Sequence, residues 1–354
     1  MGCILGSSKA AVAVTAAALS LFLVPPALAS HVQCGETITQ DTTLDSDLIC
    51  SGDGLTIGAP VTVDFAGHVL QGAGGGVGVM LGYPAPSDFS GAKVRNGTIR
   101  NFAYGVAADG PQGTLVHRML VEGNAAVGFH CNYAPECTIH SSVVRGNGTG
   151  VRFEAVDAGC RSGSHVLGNS IYGNAAGVWM AGCNGTVNDN RIRRNSSRGV
   201  VIEDHGRVEV SRNVISGNGA EGVHAIYLAT VGVSHNRIVS NGGNGVHLDG
   251  GIGPYAPGGT VRNNRIARNG GDGVHTTGVW DSNTIIERNR AERNGDDGID
   301  VDVGEYGGPI TVRANRAFFN GDLGIEADPG TIDGGGNRAS HNGNLAQCLG
   351  VRCH

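Results

Sequence analysis

The sequence predicts an all-β fold, a right-handed parallel β-helix (solenoid) of about ten to twelve coils with caps at both ends, and three observations predict it. The first is a repeat. An Asn shortly ahead of a Gly, then an apolar residue, usually Val or Ile, recurs at Gly105, Gly128, Gly150, Gly177, Gly199, Gly222, Gly245, Gly273, Gly298 and Gly324, spaced 22 to 28 residues apart. The second is composition: 61 glycines with only 5% aromatics suit a turn-rich, repetitive chain and exclude a helical bundle. The third is the alternation after each glycine, as in Gly245-Val246-His247-Leu248-Asp249, which gives a strand one apolar and one polar face.

The repeat defines its own elements. From Asn190/Asn195 to Asn337/Asn342 each unit carries two asparagines five residues apart, with an apolar step between them (Ile192, Ile215, Ile238, Ile266) and another ahead (Val187, Val210, Val233, Val261). One unit is therefore three short strands joined by turns. Asparagine tolerates a left-handed backbone and its amide can bond the same amide one coil away, so stacked turns should form amide ladders. No unit can bury its apolar edge alone, so the coils must stack, about 4.8 Å apart, around a column of Val, Ile, Leu and Ala. Right-handedness follows from the general preference of parallel crossovers.

The chain's ends read differently. Lys9, the apolar run Ala10 to Val24 and Ala27-Leu28-Ala29 read as a signal peptide over 1–29, which implies a secreted, extracellular protein. Residues 30–354 are expected as a single domain, with an N-terminal cap at 30–60, coils at 61–343 and a C-terminal cap at 344–354. No later apolar run is long enough to span a membrane. The eight remaining cysteines imply disulfides between sequence neighbours: Cys34 with Cys50, Cys131 with Cys137, Cys160 with Cys183 and Cys348 with Cys353. Cys160 and Cys183 lie one repeat apart and so on equivalent loops of adjacent coils.

Charge narrows the partners. Without residues 1–29 there are 24 basic and 31 acidic side chains, a balance of −7, which disfavours nucleic acid and anionic membranes. Only one of the 24 is a lysine, Lys93, and the arginine excess by itself says little about a partner.

At this point Val61-Thr62-Val63-Asp64-Phe65-Ala66-Gly67-His68-Val69-Leu70-Gln71-Gly72 and the recurring Asn-x-Ile-x-x-Asn-x-x-x-Gly-Val resemble the right-handed β-helix repeat proteins of the pectate-lyase-like superfamily. The resemblance covers nearly all of the chain after the leader and implies the fold. That fold hosts lyases, epimerases, hydrolases and non-catalytic adhesins, so it does not choose a function. The Asp-Pro-His-Asp run of mannuronan epimerases is missing, its nearest counterpart being Glu203-Asp204-His205-Gly206. Of the polygalacturonase elements only a paired aspartate, Asp296-Asp297, is present.

Candidate functional residues come from counting outward from the glycines. The second residue after each faces out, giving a row that includes Arg152, Trp179, His224, His247, His275, Asp300 and Glu326; the fourth gives Asp249, Asp302 and Asp328. Three histidines in succession offer proton acceptors and donors, with Asp249 and Tyr227 beside them. Asp300, Asp302, Glu326 and Asp328 form a block of four carboxylates suited to a metal, calcium in particular. Tyr255, Trp280 and Tyr306 lie on lengthened loops after the same coils and, with Arg152 and Trp179, could receive sugar rings. The expectation is a carbohydrate-active monomer that binds a polysaccharide or other glycan: a lyase or C5-epimerase of uronate polymers more readily than a glycoside hydrolase. A non-catalytic glycan-binding module and a structural or adhesive surface protein remain open beside it.

Overall fold

Each repeat forms three short strands, and each strand pairs in parallel with its equivalent one coil further on. The computed structural model describes residues 31–82, 90–155, 160–227, 229–250, 258–279, 284–304 and 308–354, without the side chains of 160–162. The first sheet has thirteen strands, from Thr37–Ile38 to Ile325–Ala327, and contains the segments that follow the repeat glycines. A second sheet runs through Arg207–Ser211 and Thr230–Ser234, and a third through Val214–Ser216 and Arg237–Val239. The longer strands Lys93–Arg100 and Leu115–Glu122 belong to both the second and the third sheet. Among the described residues there is no helix, hence none long and apolar enough to cross a membrane.

The core is the expected apolar column. Val187, Val210, Val233 and Val261 on the second sheet, Ile192, Ile215, Ile238 and Ile266 on the third, and Val200, Val223, Val246 and Val274 on the first are all fully buried. Four phenylalanines, Phe65, Phe102, Phe129 and Phe153, fill the N-terminal half, and Phe129 meets Phe153 edge-on at 5.7 Å. The repeat glycines are required sterically: a Cβ on Gly222 would stand 2.6 Å from the Gly245 carbonyl of the next coil and 2.5 Å from Ile238.

Two asparagine ladders brace the turns. One runs from Asn169 through Asn190, Asn213, Asn236, Asn264, Asn289 and Asn315 to Asn337; the other starts at Asn124 and reaches Asn342. Each carboxamide oxygen accepts from both the backbone N–H and the side-chain amide of the preceding rung, and the second amide proton usually goes to a core-strand carbonyl, as from Asn213 to Val187 at 2.6 Å. Polar groups buried this deeply are tolerated because every one is paired.

Stacking begins early: Thr37–Ile38 already pairs with Leu55–Ile57, inside the segment expected as a cap. Disulfides join Cys34 to Cys50, Cys131 to Cys137 and Cys348 to Cys353. The backbone register sets Cys160 opposite Cys183, and Cys183 is disulfide-bonded; the side chain of Cys160 lies outside the described residues. Disulfides of this kind indicate an oxidising, extracytoplasmic compartment.

Cutting one rung should be costly. Asn241→Ala leaves the Asn218 backbone N–H, 3.1 Å away, and the Asn218 amide, 2.9 Å away, without their acceptor. Urea unfolding is expected to show a loss of about 2–4 kcal/mol; a loss within error of zero would mean the ladder does not brace the coils.

Candidate functional site

The register aligns the outward row as counted. His224 stands opposite His247, His247 opposite His275, His275 opposite Asp300 and Asp300 opposite Glu326, while the intervening Ala225, Leu248, Thr276 and Val301 are buried in the core. Coil spacing carries through to the rings. His224 and His247 are parallel with centroids 4.6 Å apart, and His247 and His275 are 4.8 Å apart with a 55° tilt. The row is drier than an outward position suggests, and His224 is only 5% exposed.

Burial and neighbouring charge then divide identical residues. Burial pushes His247 down to about 4, and the adjacent His224 and His275 add to the effect. His224 is also lowered, by burial and by Arg198. At His275 burial acts in the same direction, but the carboxylates Asp300, Asp272 and Asp302 outweigh it and raise the pKa. The His275 Nδ1 lies 2.7 Å from Asp300 Oδ2 and 3.4 Å from Asp272 Oδ2, close ion-pair contacts in which the N–H is not aligned on the oxygen. Thr277 Oγ1 lies 2.9 Å from His275 Nε2 and 3.2 Å from His247 Nε2, so one hydroxyl bridges the ring whose pKa is raised and the ring whose pKa is lowered.

A second row, immediately ahead of the glycines, was not singled out from the sequence. It runs Arg198, Glu221, Asn244, Asp272, Asp297. Asn244 Oδ1 accepts from the Asp272 N–H at 2.7 Å, Asp272 Oδ1 from the Asp297 N–H at 2.9 Å, and Asp297 Oδ1 from the Leu323 N–H at 2.6 Å. These carboxyls are therefore buried with their backs to the chain. Burial pushes Asp272 up to about 6, with the charges of Asp300 and Asp296 adding to it, and pushes Asp297 to about 8, with those of Asp272, Asp296 and Asp300 adding to it. The detectable signal was an Asn or acid directly before the repeat glycine at 221, 244, 272 and 297.

Asp297, Asp300 and Glu326 bring carboxylate oxygens within 4.8 Å of one another, a ring nitrogen of His275 lies as close to oxygens of Asp272 and Asp300, and such groups could hold a divalent cation. Of the four carboxylates counted as one block, Asp300 and Glu326 thus converge with Asp297. Asp302 instead shares a hydrogen bond with Asp328, whose pKa is raised by partial burial and by that neighbour.

The remaining candidates are spread along the sheet. Asp249 Oδ2 lies 4.0 Å from His224 Nε2. Tyr227 sits in the turn after Val223–Ile226, 58% exposed, with a left-handed φ of 43°. Arg152 covers the Trp179 ring at 5.2 Å and pairs with Glu154 at 2.6 Å, and the indole N–H donates to Glu203 at 2.6 Å. Tyr255, Trp280 and Tyr306 lie outside the described residues.

Comparison with known proteins agrees with this architecture. Residues 176–349 match the family described as "Right handed beta helix region", and residues 90–254 match "Periplasmic copper-binding protein (NosD)". No curated protein sequence matches the chain. The A-module of the Azotobacter vinelandii mannuronan C-5 epimerase AlgE4 superposes with a TM-score of 0.61 at 18% identity, over 80% of this chain and 86% of that one. The A-module of AlgE6 from the same organism gives 0.51 at 16% identity, over 91% of each chain. The periplasmic alginate epimerase AlgG gives 0.52 at 13% identity, over 84% of this chain and 77% of that one. At these identities the likeness is one of fold. The chain is a right-handed parallel β-helix repeat protein, with a histidine and carboxylate row on its first sheet.

The pKa shifts fix opposite pH dependences. His247, lowered to about 4, is neutral in the fold where the unfolded imidazole is charged, so between its folded value and 6.5 stability rises with pH. Asp297, raised from 3.8 to about 8, holds a proton the unfolded chain has lost, so over that interval stability falls as pH rises. Asp297→Asn keeps the acceptor for Leu323 and has no proton to lose. Its urea midpoint should exceed that of the parent by more at roughly pH 9 than at pH 7; equal differences at both would show that Asp297 is ionised throughout.

Proposed function

We propose that this is a secreted, carbohydrate-active protein that removes a proton from C5 of a uronate unit, as a polysaccharide lyase or C5-epimerase. The observation that carries the proposal is the split titration of a contiguous stack: a neutral His247 4.8 Å from a His275 whose pKa is raised by Asp300 and its neighbours. Groups pushed apart in pKa by their surroundings can serve as base and acid in one reaction. In this reading His247 takes the C5 proton and His275 protonates the glycosidic oxygen in elimination, while in epimerisation water supplies the proton to the opposite face of C5. Thr277, bridging the two rings, is placed to return the proton between turnovers. Asp249 and Tyr227 flank the stack, and Arg152 and Trp179 extend the surface along the same sheet. Calcium held by Asp297, Asp300 and Glu326 would neutralise the uronate carboxylate and acidify the adjacent C–H. The carboxylates of Asp300 and Glu326 would otherwise repel the polymer.

A second reading is a glycan-binding module without turnover. It is favoured by the backbone hydrogen bonds of Asp272 and Asp297, which give the acids beside His275 a structural task like that of the asparagines.

Incubation with polygalacturonate or alginate and calcium in deuterated water should yield unsaturated uronate absorbance or deuterium at C5. His247→Ala is expected to lower turnover by roughly 10²–10⁴. If binding to the polymer survives replacement of His224, His247 and His275 together by alanine, and the parent protein gives neither product, the binding module is the correct reading.

A further inference from the structure

The third sheet carries a charged row on another face of the coil. Arg237 stands opposite Arg265, Arg265 opposite Arg290, Arg290 opposite Arg316 and Arg316 opposite Arg338. All five are exposed, and their aliphatic neighbours Ile238, Ile266, Ala291, Ala317 and Ala339 point into the core. Each follows the first asparagine of its repeat, so the amide ladder holds the guanidiniums in file at coil spacing, over about 19 Å for four rises.

Like charges directly opposite on a sheet repel, and the chain relieves this only in part. Glu292, 2% exposed, pairs with both Arg265 and Arg290 at 2.7 Å. Arg237, Arg316 and Arg338 have no acid within ion-pair range among the described residues. The following turns add Arg268 and Arg293, the latter 5.0 Å over Phe319, whose ring stacks on His341 at 5.1 Å. A chain of net charge −6 therefore concentrates uncompensated arginine on one face.

We propose that this face is a docking surface for a linear acidic polysaccharide lying along the coil axis, with an anionic group at each guanidinium. Charge complementarity gives the sign of the partner, and the straight file gives its shape. The planar guanidinium fork suits a carboxylate, and the disulfides place the chain where extracellular acidic glycans are met. The surface does not depend on the histidine row, and a polymer held here could be bound whether or not the protein turns it over.

Calorimetric titration of the full chain with polygalacturonate, with dextran as neutral control, tests this. Binding should weaken steeply with salt, and the triple variant Arg237→Gln, Arg316→Gln, Arg338→Gln should bind at least roughly tenfold more weakly at low salt, with an unchanged circular dichroism spectrum and an unfolding midpoint no lower than that of the parent. His247→Ala should leave this affinity intact. Undiminished affinity in the triple variant, equal binding of dextran, or binding lost only on His247→Ala would overturn the proposal. So would preferential binding of single-stranded DNA or of phosphatidylglycerol vesicles, which would assign the row to a different polyanion.

Discussion

Everything in this molecule depends on one constraint: the polar groups of a coil are satisfied by the next coil and not by its own residues. The asparagine ladders state it most directly, since the Asn213 oxygen serves the Asn190 backbone and amide, and Asn236 serves Asn213 in turn. A coil has no separate stability to lose, and the solenoid coheres through its interfaces. The constraint also decides where the chain can vary. Val200–Glu203 and Arg207–Ser211 are separated by three residues, whereas Val246–Asp249 and Gly259–Arg262 are separated by nine. Extra length enters between the first and second sheets, where it disturbs neither asparagine ladder.

Stacking at one fixed spacing has different consequences for different side chains. A carboxamide is its own complement, with donor and acceptor on one group, so a row of them strengthens with length. Neutral imidazoles tolerate the same arrangement, and the burial that stacking brings keeps His247 neutral. Carboxylates and guanidiniums have no such complementarity. The acids answer by retaining protons, as Asp297 does. The arginines cannot, and share Glu292 where they can reach it. Chemical potential is thus stored on two faces of the coil by the regularity that makes the fold.

The period, the strand pattern and the asparagine pairs were readable in the sequence because each depends on local spacing, and the alignment of His224, His247 and His275 followed by counting from the glycines. What could not be read came from contacts across coils. Asp272 and Asp297 fall outside the outward rows counted from the glycines, and the structure shows their oxygens accepting from the next coil's N–H groups. The four acids at 300, 302, 326 and 328 looked equivalent, yet side-chain direction separates Asp302 and Asp328 from the pair that meets Asp297. The arginine file was hidden for another reason. Asn-Arg recurs openly at 236–237, 264–265, 289–290, 315–316 and 337–338, but a net negative total obscured that the positive charges share a face.

The second ladder does not stop at an asparagine. Asn342 passes its backbone N–H and its side-chain amide to Gln347 Oε1, at 3.1 and 3.0 Å, from a segment pinned by the disulfide between Cys348 and Cys353. One extra methylene lets glutamine reach the final rung from a segment whose bridges, Ile325 to Cys348 and Asn337 to Cys353, stay parallel to the coils. The final rung of this ladder is thereby filled from within, and a second molecule meeting this end finds that rung already taken.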